Sequence, residues 1–268
     1  MEKKLQHWSS KVNGWVFLSH SSKDYEQVKV IRDYLELNNF NAIMFYLHSF
    51  NDASKEKQIT DLVLNEIDAR NIFVSCNSHN ADASKWVQLE KNHVRHKTNI
   101  IKVDIDLVAL RNRRCSELSK LDDLMIQSSI YILAPSNEKR IQDSIDFLSG
   151  RGFKIYEADE IKHAKGQKRL DIFQNAVNET MENNVTLIVF VHDNKKWQEE
   201  VRKMMDRYDN NSLQNIVLVY LNEPKLYENR IRDDYYDSES TVYMYEFQND
   251  FNAYLQLLEE KIWRNING

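Results

Sequence analysis

The stretch "GWVFLSH" (residues 14–20) is a short apolar run that ends in polar residues. An apolar run of this length is typical of a β-strand that is buried on both faces. Residues 21–39 then open with Ser and Asp and carry apolar side chains at roughly helical spacing, which predicts a capped amphipathic helix. A buried strand followed by such a helix is the repeating unit of an α/β fold.

The same alternation continues along the first half of the chain. Strands are predicted at residues 40–46, 70–77 and 99–106, with helices between them, and the helix before the last strand contains "SKWVQLEKNHVRHK" (84–97). Because neighbouring parallel strands need a crossover connection, this alternation predicts a parallel sheet with helices on both faces.

The second half of the chain repeats the pattern, with a join placed near residues 116–127. The order of elements matches that of the first half, so we predict two domains of one α/β architecture. The charged residues 229–240 are predicted to form an exposed loop. The predicted strands of this half are 128–136, 154–161, 185–194, 215–224 and a short one near 241–247, with a last helix at 250–266.

Composition excludes several classes of protein. The net charge of −5 gives no basic footprint for nucleic acid. No apolar run suits a signal peptide or a membrane span of roughly 20 residues, so a cytoplasmic protein is predicted. The two cysteines, Cys76 and Cys115, match no metal or redox spacing, so no metal site is predicted. The sequence contains none of the Gly-rich phosphate-binding motifs.

Four segments resemble, in order, the motifs of the TIR (Toll/interleukin-1 receptor) domain family. The resemblance covers roughly residues 14–110 and implies a flavodoxin-like fold. We therefore predict two flavodoxin-like, TIR-type domains over residues 1–120 and 128–268, each a parallel sheet with helices on both faces. The matching segments are "FLSHSSKD" (17–24), "NNFNAIMFY" (38–46), "EIDARNIFVSCNSHN" (66–80) and "SKWVQLE" (84–90).

Many bacterial and some animal TIR domains consume NAD⁺, and the resemblance implies that Glu90, four residues after Trp86, is the catalytic residue. A single carboxylate suits this reaction, because the nicotinamide of NAD⁺ is already cationic and departs neutral without a proton donor. The carboxylate has only to oppose the positive charge of the ribosyl oxocarbenium ion. Cleavage of an ordinary sugar ether would need a second, acidic carboxyl group. NAD⁺ is thus expected as substrate, and no cofactor is expected.

The resemblance also implies that the loop after the first strand lines the nucleotide site. Each of these residues has a structural alternative as well: the end of a strand, a helix cap, or simple packing. Trp86 is grouped with them because it can anchor the helix and so fix the direction of Glu90. The predicted substrate-binding residues are Ser19, His20, Lys23, Asp24, Tyr46 and Trp86.

The second half departs from the family pattern. The segment "GFKIYEADEIKHAKGQ" (152–167) resembles the family's strand and loop, but "YILAPSNEK" (131–139) lacks the SSKD motif. Glu200 follows Trp197 by three residues rather than four, which rotates its carboxylate away from the expected direction. We therefore predict a TIR-like second domain that is not catalytic.

The leading hypothesis is an NAD⁺ glycohydrolase or ADP-ribosyl cyclase in bacterial antiphage defence. Such a protein acts by depleting NAD⁺ or by making an ADP-ribose-derived signal. The alternatives are a non-catalytic TIR interaction scaffold and a nucleoside deoxyribosyltransferase-like enzyme. The expected partners are NAD⁺, other TIR domains through self-assembly, or a separate effector or sensor protein, with neither nucleic acid nor membrane. The sequence leaves open the product, the trigger, the oligomeric state and any part of the second domain in the active site.

Overall fold

The computed structural model describes residues 8–45, 55–192, 195–207, 215–222 and 241–267. The strands are β1 (Ser9–Val12), β2 (Gly14–Ser19), β3 (Phe40–Ile43), β4 (Ile72–Asn77), β5 (Ile101–Asp106), β6 (Ser129–Leu133), β7 (Lys154–Glu157), β8 (Thr186–Val191), β9 (Ile216–Tyr220) and β10 (Thr241–Tyr243). The helices are α1 (Tyr25–Leu37), α2 (Glu56–Asp68), α3 (His79–Asp82), α4 (Lys85–Val94), α5 (Leu107–Asn112), α6 (Arg114–Gln127), α7 (Lys139–Gly150), α8 (Gln167–Asn183), α9 (Lys195–Met205) and α10 (Phe251–Asn267). Within these ranges, short 3₁₀ helices cover Ser22–Asp24, Asp159–Lys162 and Met244–Phe247.

These elements form two compact units, each built around its own sheet. The first unit contains the described residues of Asn13–Ser128 and Ser149–Lys154. The second contains those of Met1–Val12, Ser129–Leu148 and Ile155–Gly268. Both sheets are flanked by helices, so the predicted α/β class with two flavodoxin-like domains is confirmed.

The first unit contains a four-stranded parallel sheet in the order β3-β2-β4-β5. Its central strand β2 is buried, because Val16, Phe17 and Leu18 are each at most 1% exposed. The sheet register pairs Ser19 with Ser75, so the polar residues that end β2 and β4 lie side by side at the carboxyl edge. The strand that follows β2 in the chain, β3, lies on one side of it, and β4 lies on the other. The topological switch point, where ligands bind in open sheets, is therefore between β2 and β4.

The second unit contains six strands in the order β1-β7-β6-β8-β9-β10. Strands β6, β8, β9 and β10 pair in parallel. Strand β7 runs parallel to β6, because Lys154 N donates to Ser128 O at 3.0 Å and Ala158 N donates to Ile132 O at 3.3 Å. The five parallel strands follow the doubly wound order 2-1-3-4-5, which places a switch point between β6 and β8.

Two features of this architecture differ from the predicted one. Strand β1 was not predicted, and it pairs antiparallel with β7 in the second unit, with Ser9 opposite Glu157. Four mostly exposed residues give no apolar pattern that would reveal such an edge strand. The predicted join near 116–127 lies within α6, a helix of the first unit that buries Leu118, Leu121 and Leu124.

No helix in the described part of the chain combines the length and apolar character that a bilayer crossing requires.

Gly152 provides a test of the first unit's backbone packing. Its φ is +97°, and an added Cβ would lie 2.9 Å from the carbonyl oxygen of Trp15. The Gly152→Ala variant combines an unfavourable φ with a backbone clash, so we expect its free energy of unfolding to fall by about 1–3 kcal/mol. Urea denaturation measures this change.

Gly150 is the matched control, because no atom lies within 4 Å of an added Cβ at the end of α7. Removing a helical glycine is neutral or stabilises by up to about 1 kcal/mol. A loss of stability in Gly150→Ala as large as in Gly152→Ala would contradict this account of the turn.

Candidate functional site

Helix α4 places Glu90 on the face that packs into the protein. The helix begins after Ser84, whose side-chain oxygen accepts a hydrogen bond from Val87 N at 3.4 Å. The buried residues of α4 are Val87, Glu90 and Val94, at positions i, i+3 and i+7. A carboxylate therefore occupies a position on this face where an apolar side chain is the usual choice, and it is only 5% exposed.

The carboxylate of Glu90 accepts a hydrogen bond from Ser19. The distance from Ser19 Oγ to Glu90 Oε2 is 2.5 Å, and Ser19 is fully buried. Ser19 ends β2, and α4 follows β4 after the short helix α3, so the pair lies at the switch point of the first sheet. Two residues that the sequence predicts for the site are thus in direct contact.

Burial raises the pKa of Glu90 to about 7, and the hydrogen bond from Ser19 opposes that rise because it stabilises the ionised form. A carboxyl group with this pKa is divided between its neutral and ionised forms at physiological pH. Such a large shift at the edge of a parallel sheet is typical of a functional group rather than of a structural one.

His20 follows Ser19 directly and is 8% exposed. Its Nδ1 donates to the carbonyl oxygen of Leu18 at 3.0 Å. Burial lowers the pKa of His20, although the hydrogen bond to Leu18 and the negative charge of Asp24 oppose this effect. A neutral imidazole therefore follows Ser19 at neutral pH.

The residues after His20 have mainly structural contacts. Asp24 is buried, and its two carboxylate oxygens accept hydrogen bonds from Ser78 Oγ at 2.5 Å and Asn80 Nδ2 at 2.8 Å. It therefore ties the turn after β2 to α3. Ser21 caps that turn by accepting from Lys23 N at 3.4 Å, and the Lys23 side chain is exposed. These contacts match the capping alternative for this segment, and substrate contact by Lys23 and Asp24 stays a prediction.

Trp86 is half-buried and packs against the apolar cluster that contains Phe17 and Phe73. It lies one turn before Glu90 on α4, and its predicted contact with the substrate stays a prediction. Tyr46 lies outside the described residues, so its predicted stacking role stays a prediction.

A polar network that the sequence does not predict extends from the carboxyl end of β4. Asn77 Oδ1 accepts from Ser75 Oγ at 2.8 Å and from Lys91 Nζ at 2.7 Å. The Asn77 amide in turn donates to Asp104 Oδ1 at 3.2 Å. The network could be predicted from the pairing of Ser75 with Ser19 in neighbouring strands, but that pairing is known only once the strand register is known.

A cavity of about 340 Å³ lies between α4 and strands β4 and β5. Basic side chains from α4 and β5 contribute to it, and Glu90 is not among the residues that line it. The lining includes Phe73, Ser75, Lys91, Arg95, Lys102 and Asp104. Within the described ranges, no group of three or more His, Cys, Asp and Glu residues is arranged to hold a metal ion.

In the second unit, the corresponding carboxylate has a different partner. Glu200 lies on α9, the helix after β8, and is 4% exposed, so the three-residue spacing from Trp197, which is expected to rotate it away, still leaves the carboxylate buried beside Arg169. Its Oε2 accepts from Arg169 Nη1 at 2.8 Å, and the guanidinium carbon of Arg169 lies 5.3 Å from the ring centroid of Trp197. Glu90 is thus hydrogen-bonded to a neutral hydroxyl, whereas Glu200 is paired with a permanent cation.

Comparisons with known proteins agree with the resemblance in the first half of the chain. The sequence model of the TIR domain family matches residues 16–143, which supports a TIR domain that includes Ser19 and Glu90. No curated protein matches the sequence. A LacI-family transcription regulation repressor from Corynebacterium glutamicum shares 11% identity over 92% of this chain and 89% of its own, with a TM-score of 0.26. That structural similarity is too low to carry an argument.

The raised pKa of Glu90 predicts a pH-dependent cost to stability. Between about pH 4.5 and 7, Glu90 is protonated in the folded protein but already ionised in the unfolded chain. The free energy of unfolding of the wild type therefore falls as the pH rises through that window, and Glu90 causes no further change above it. In Glu90→Gln this loss is absent. We expect the variant to match the wild type near pH 4.5 and to exceed it above pH 7 by on the order of 3 kcal/mol.

Thermal or urea unfolding at several pH values measures this difference. The matched control is Glu26→Gln, which changes an exposed residue of α1 in the same unit. A Glu90→Gln variant that follows the wild type in parallel across the whole pH range would contradict the assignment.

Proposed function

We propose that the first unit is an NAD⁺-cleaving enzyme, either a hydrolase or an ADP-ribosyl cyclase, in which Glu90 acts at the nicotinamide ribose. The observation that carries the proposal is the buried pair of Ser19 and Glu90 at the switch point, with the pKa of Glu90 raised to about 7. The pair lies within the segment that matches the TIR family, whose members include NAD⁺-consuming enzymes.

The reaction breaks the bond between C1′ of the ribose and the ring nitrogen of nicotinamide. The bonding electrons leave with nicotinamide, which becomes neutral, and the ribose becomes an oxocarbenium ion. The ionised carboxylate of Glu90 stabilises this ion electrostatically, and its burial strengthens the interaction because the local dielectric is low. Attack by water gives ADP-ribose and releases a proton, whereas attack by a nucleophile within the molecule gives a cyclic product.

Ser19 acts in this proposal as a positioning residue. Its hydroxyl donates to Oε2 and holds the carboxylate in one orientation. The same bond lowers the pKa of Glu90 from the value that burial alone would give, which keeps a larger fraction ionised at neutral pH. Because Glu90 is only 5% exposed, the residues that cover it at the edge of the sheet must move apart before the ribose of the substrate can contact the carboxylate.

The wider role of the protein follows from the family resemblance. Bacterial NAD⁺-consuming TIR proteins act in antiphage defence, by depletion of NAD⁺ or through an ADP-ribose-derived signal, and we extend that role to this chain. Self-assembly through TIR contacts and a separate effector or sensor protein are the partners that fit it. A cytoplasmic location accords with an NAD⁺ substrate.

Incubation of the purified protein with NAD⁺, followed by mass spectrometry of the products, tests the activity. We expect free nicotinamide together with linear or cyclic ADP-ribose. We also expect kcat/KM to rise with pH around a midpoint near 7, because the ionised form of Glu90 is the active one. Glu90→Gln should lower kcat by at least about 100-fold, since it removes the negative charge that stabilises the transition state.

The control is Glu26→Gln, which should retain wild-type turnover. A folded wild-type protein that leaves NAD⁺ intact would contradict the proposal and favour an interaction scaffold. Preferential cleavage of deoxyribonucleosides over NAD⁺ would instead favour the deoxyribosyltransferase-like alternative.

Replacement of Ser19 by Ala tests the positioning role separately. Without the hydroxyl, the ionised form of Glu90 loses a hydrogen bond, so its pKa rises further. A hydrogen bond to a charged group contributes about 1.5–3 kcal/mol, so we expect the midpoint of the kcat/KM profile to move up by about 1 unit or more. Activity lost at pH 7 should be partly recovered at pH 9. A uniform loss of activity with an unchanged midpoint would contradict this role.

A further inference from the structure

The second unit contains a crevice at the carboxyl edge of its own sheet. The crevice has a volume of about 430 Å³. It is lined by residues 135–138, which follow β6, and by His192, which follows β8. The remaining lining residues are Lys162, Arg169 and Trp197. Strands β6 and β8 flank the switch point of this sheet, which is where open α/β sheets bind ligands. The volume falls in the range of ligand pockets, about 300–1,000 Å³.

The basic side chains of this crevice are held in fixed positions. The Lys162 side chain is 9% exposed, and its Nζ lies 2.5 Å from Glu157 Oε1 and 3.4 Å from Asp159 Oδ1. Arg169 donates from Nε to Ala164 O at 2.8 Å and from Nη1 to Glu200 at 2.8 Å. These bonds and the ring of Trp197 fix the guanidinium plane before any ligand binds.

Arg169 retains donors for a ligand. A guanidinium carries five N–H groups, and two of those on Arg169 are used by partners among the described residues. A planar fork of N–H groups matches the oxygen spacing of a phosphate, and Lys162, whose charge Glu157 and Asp159 partly offset, lies in the same crevice. An oriented Arg and a buried Lys at one switch point favour a phosphate group.

Glu200 adds a demand for a hydrogen-bond donor. Its Oε2 is paired with Arg169, but its buried Oε1 has no hydrogen-bond partner within the described residues. A buried acceptor without a donor is unfavourable, so polar groups of this kind are normally satisfied by protein, water or a ligand. Glu200 does not itself line the crevice, but its carboxylate is bonded to Arg169, which does. A ligand hydroxyl that reaches past Arg169 meets this demand.

We propose that this crevice binds a phosphate-bearing small molecule of nucleotide size, with the phosphate on Arg169 and Lys162 and a ribose hydroxyl directed towards Glu200. The Arg169–Glu200 pair makes the second unit a binding site in the place where the first unit has a catalytic carboxylate. The proposal does not rest on NAD⁺ cleavage, because it concerns different residues in a different unit.

Isothermal titration of the full-length protein with ADP-ribose, AMP and inorganic phosphate, each in a separate experiment, tests the proposal. We expect one site for ADP-ribose or AMP that binds at least about 10-fold more tightly than inorganic phosphate. Equal affinity for all three probes would overturn the assignment of a ribose hydroxyl to Glu200. Absence of binding by every probe at millimolar concentration would overturn the proposal as a whole.

Two substitutions by tryptophan test whether the ligand binds in the crevice. Asn137 is exposed at the mouth of the crevice, so Asn137→Trp fills it with little risk to folding, and we expect at least a 10-fold loss of affinity. Lys139 is also exposed, begins α7 and does not line the crevice, so Lys139→Trp is the matched control with unchanged affinity. Equal affinities for the two variants would overturn the proposal.

Glu90→Gln separates this site from the one in the first unit. We expect the variant to bind the nucleotide probe with wild-type stoichiometry and affinity while its NAD⁺ turnover is lost. If Glu90→Gln abolished binding, the probe would occupy the first unit and the crevice would not be its site. Failure of NAD⁺ cleavage in the wild type would leave the result of the titrations unaffected.

Discussion

The burial of one carboxylate against one hydroxyl is the constraint on which the functional account depends. Glu90 occupies a core-facing position of α4 where an aliphatic side chain would stabilise the fold, and its ionised form is stabilised by a hydrogen bond from Ser19 Oγ at 2.5 Å. Burying an ionisable group in this way costs stability, because desolvation favours the neutral form. Proteins tolerate such costs mainly where the group has a function, since stability and activity commonly oppose each other.

The two units show how one architecture can give a similarly placed carboxylate different chemistry. In each unit a helix in the connection after the third parallel strand buries a glutamate, Glu90 in the first and Glu200 in the second. In the proposed reaction, a hydroxyl partner would leave the charge of Glu90 available to a cationic transition state. An arginine partner neutralises Glu200 and adds donors that suit an anionic ligand. The chemistry of each site is therefore set by the partner of its carboxylate more than by the fold.

The sequence predicted the features that depend on local pattern. Alternating apolar runs and amphipathic segments located the parallel strands, and the spacing of Trp86 and Glu90 placed both on one side of α4. It did not predict β1 or the network at Asn77, because edge pairing and strand register depend on residues that are distant in the chain. The role of Asp24 was likewise left open, since its partners Ser78 and Asn80 are more than 50 residues away.

Titration of the Glu90 carboxyl group measures the raised pKa on which the proposed function depends. The carboxylate signal is isolated as the difference between infrared or ¹³C spectra of the wild type and of Glu90→Gln, recorded from pH 4 to pH 9. We expect a single titration with a midpoint near 7, because the side chain is buried and its hydrogen-bond donor among the described residues is the Ser19 hydroxyl. A midpoint near 4.5, the value of an exposed glutamate, would contradict it.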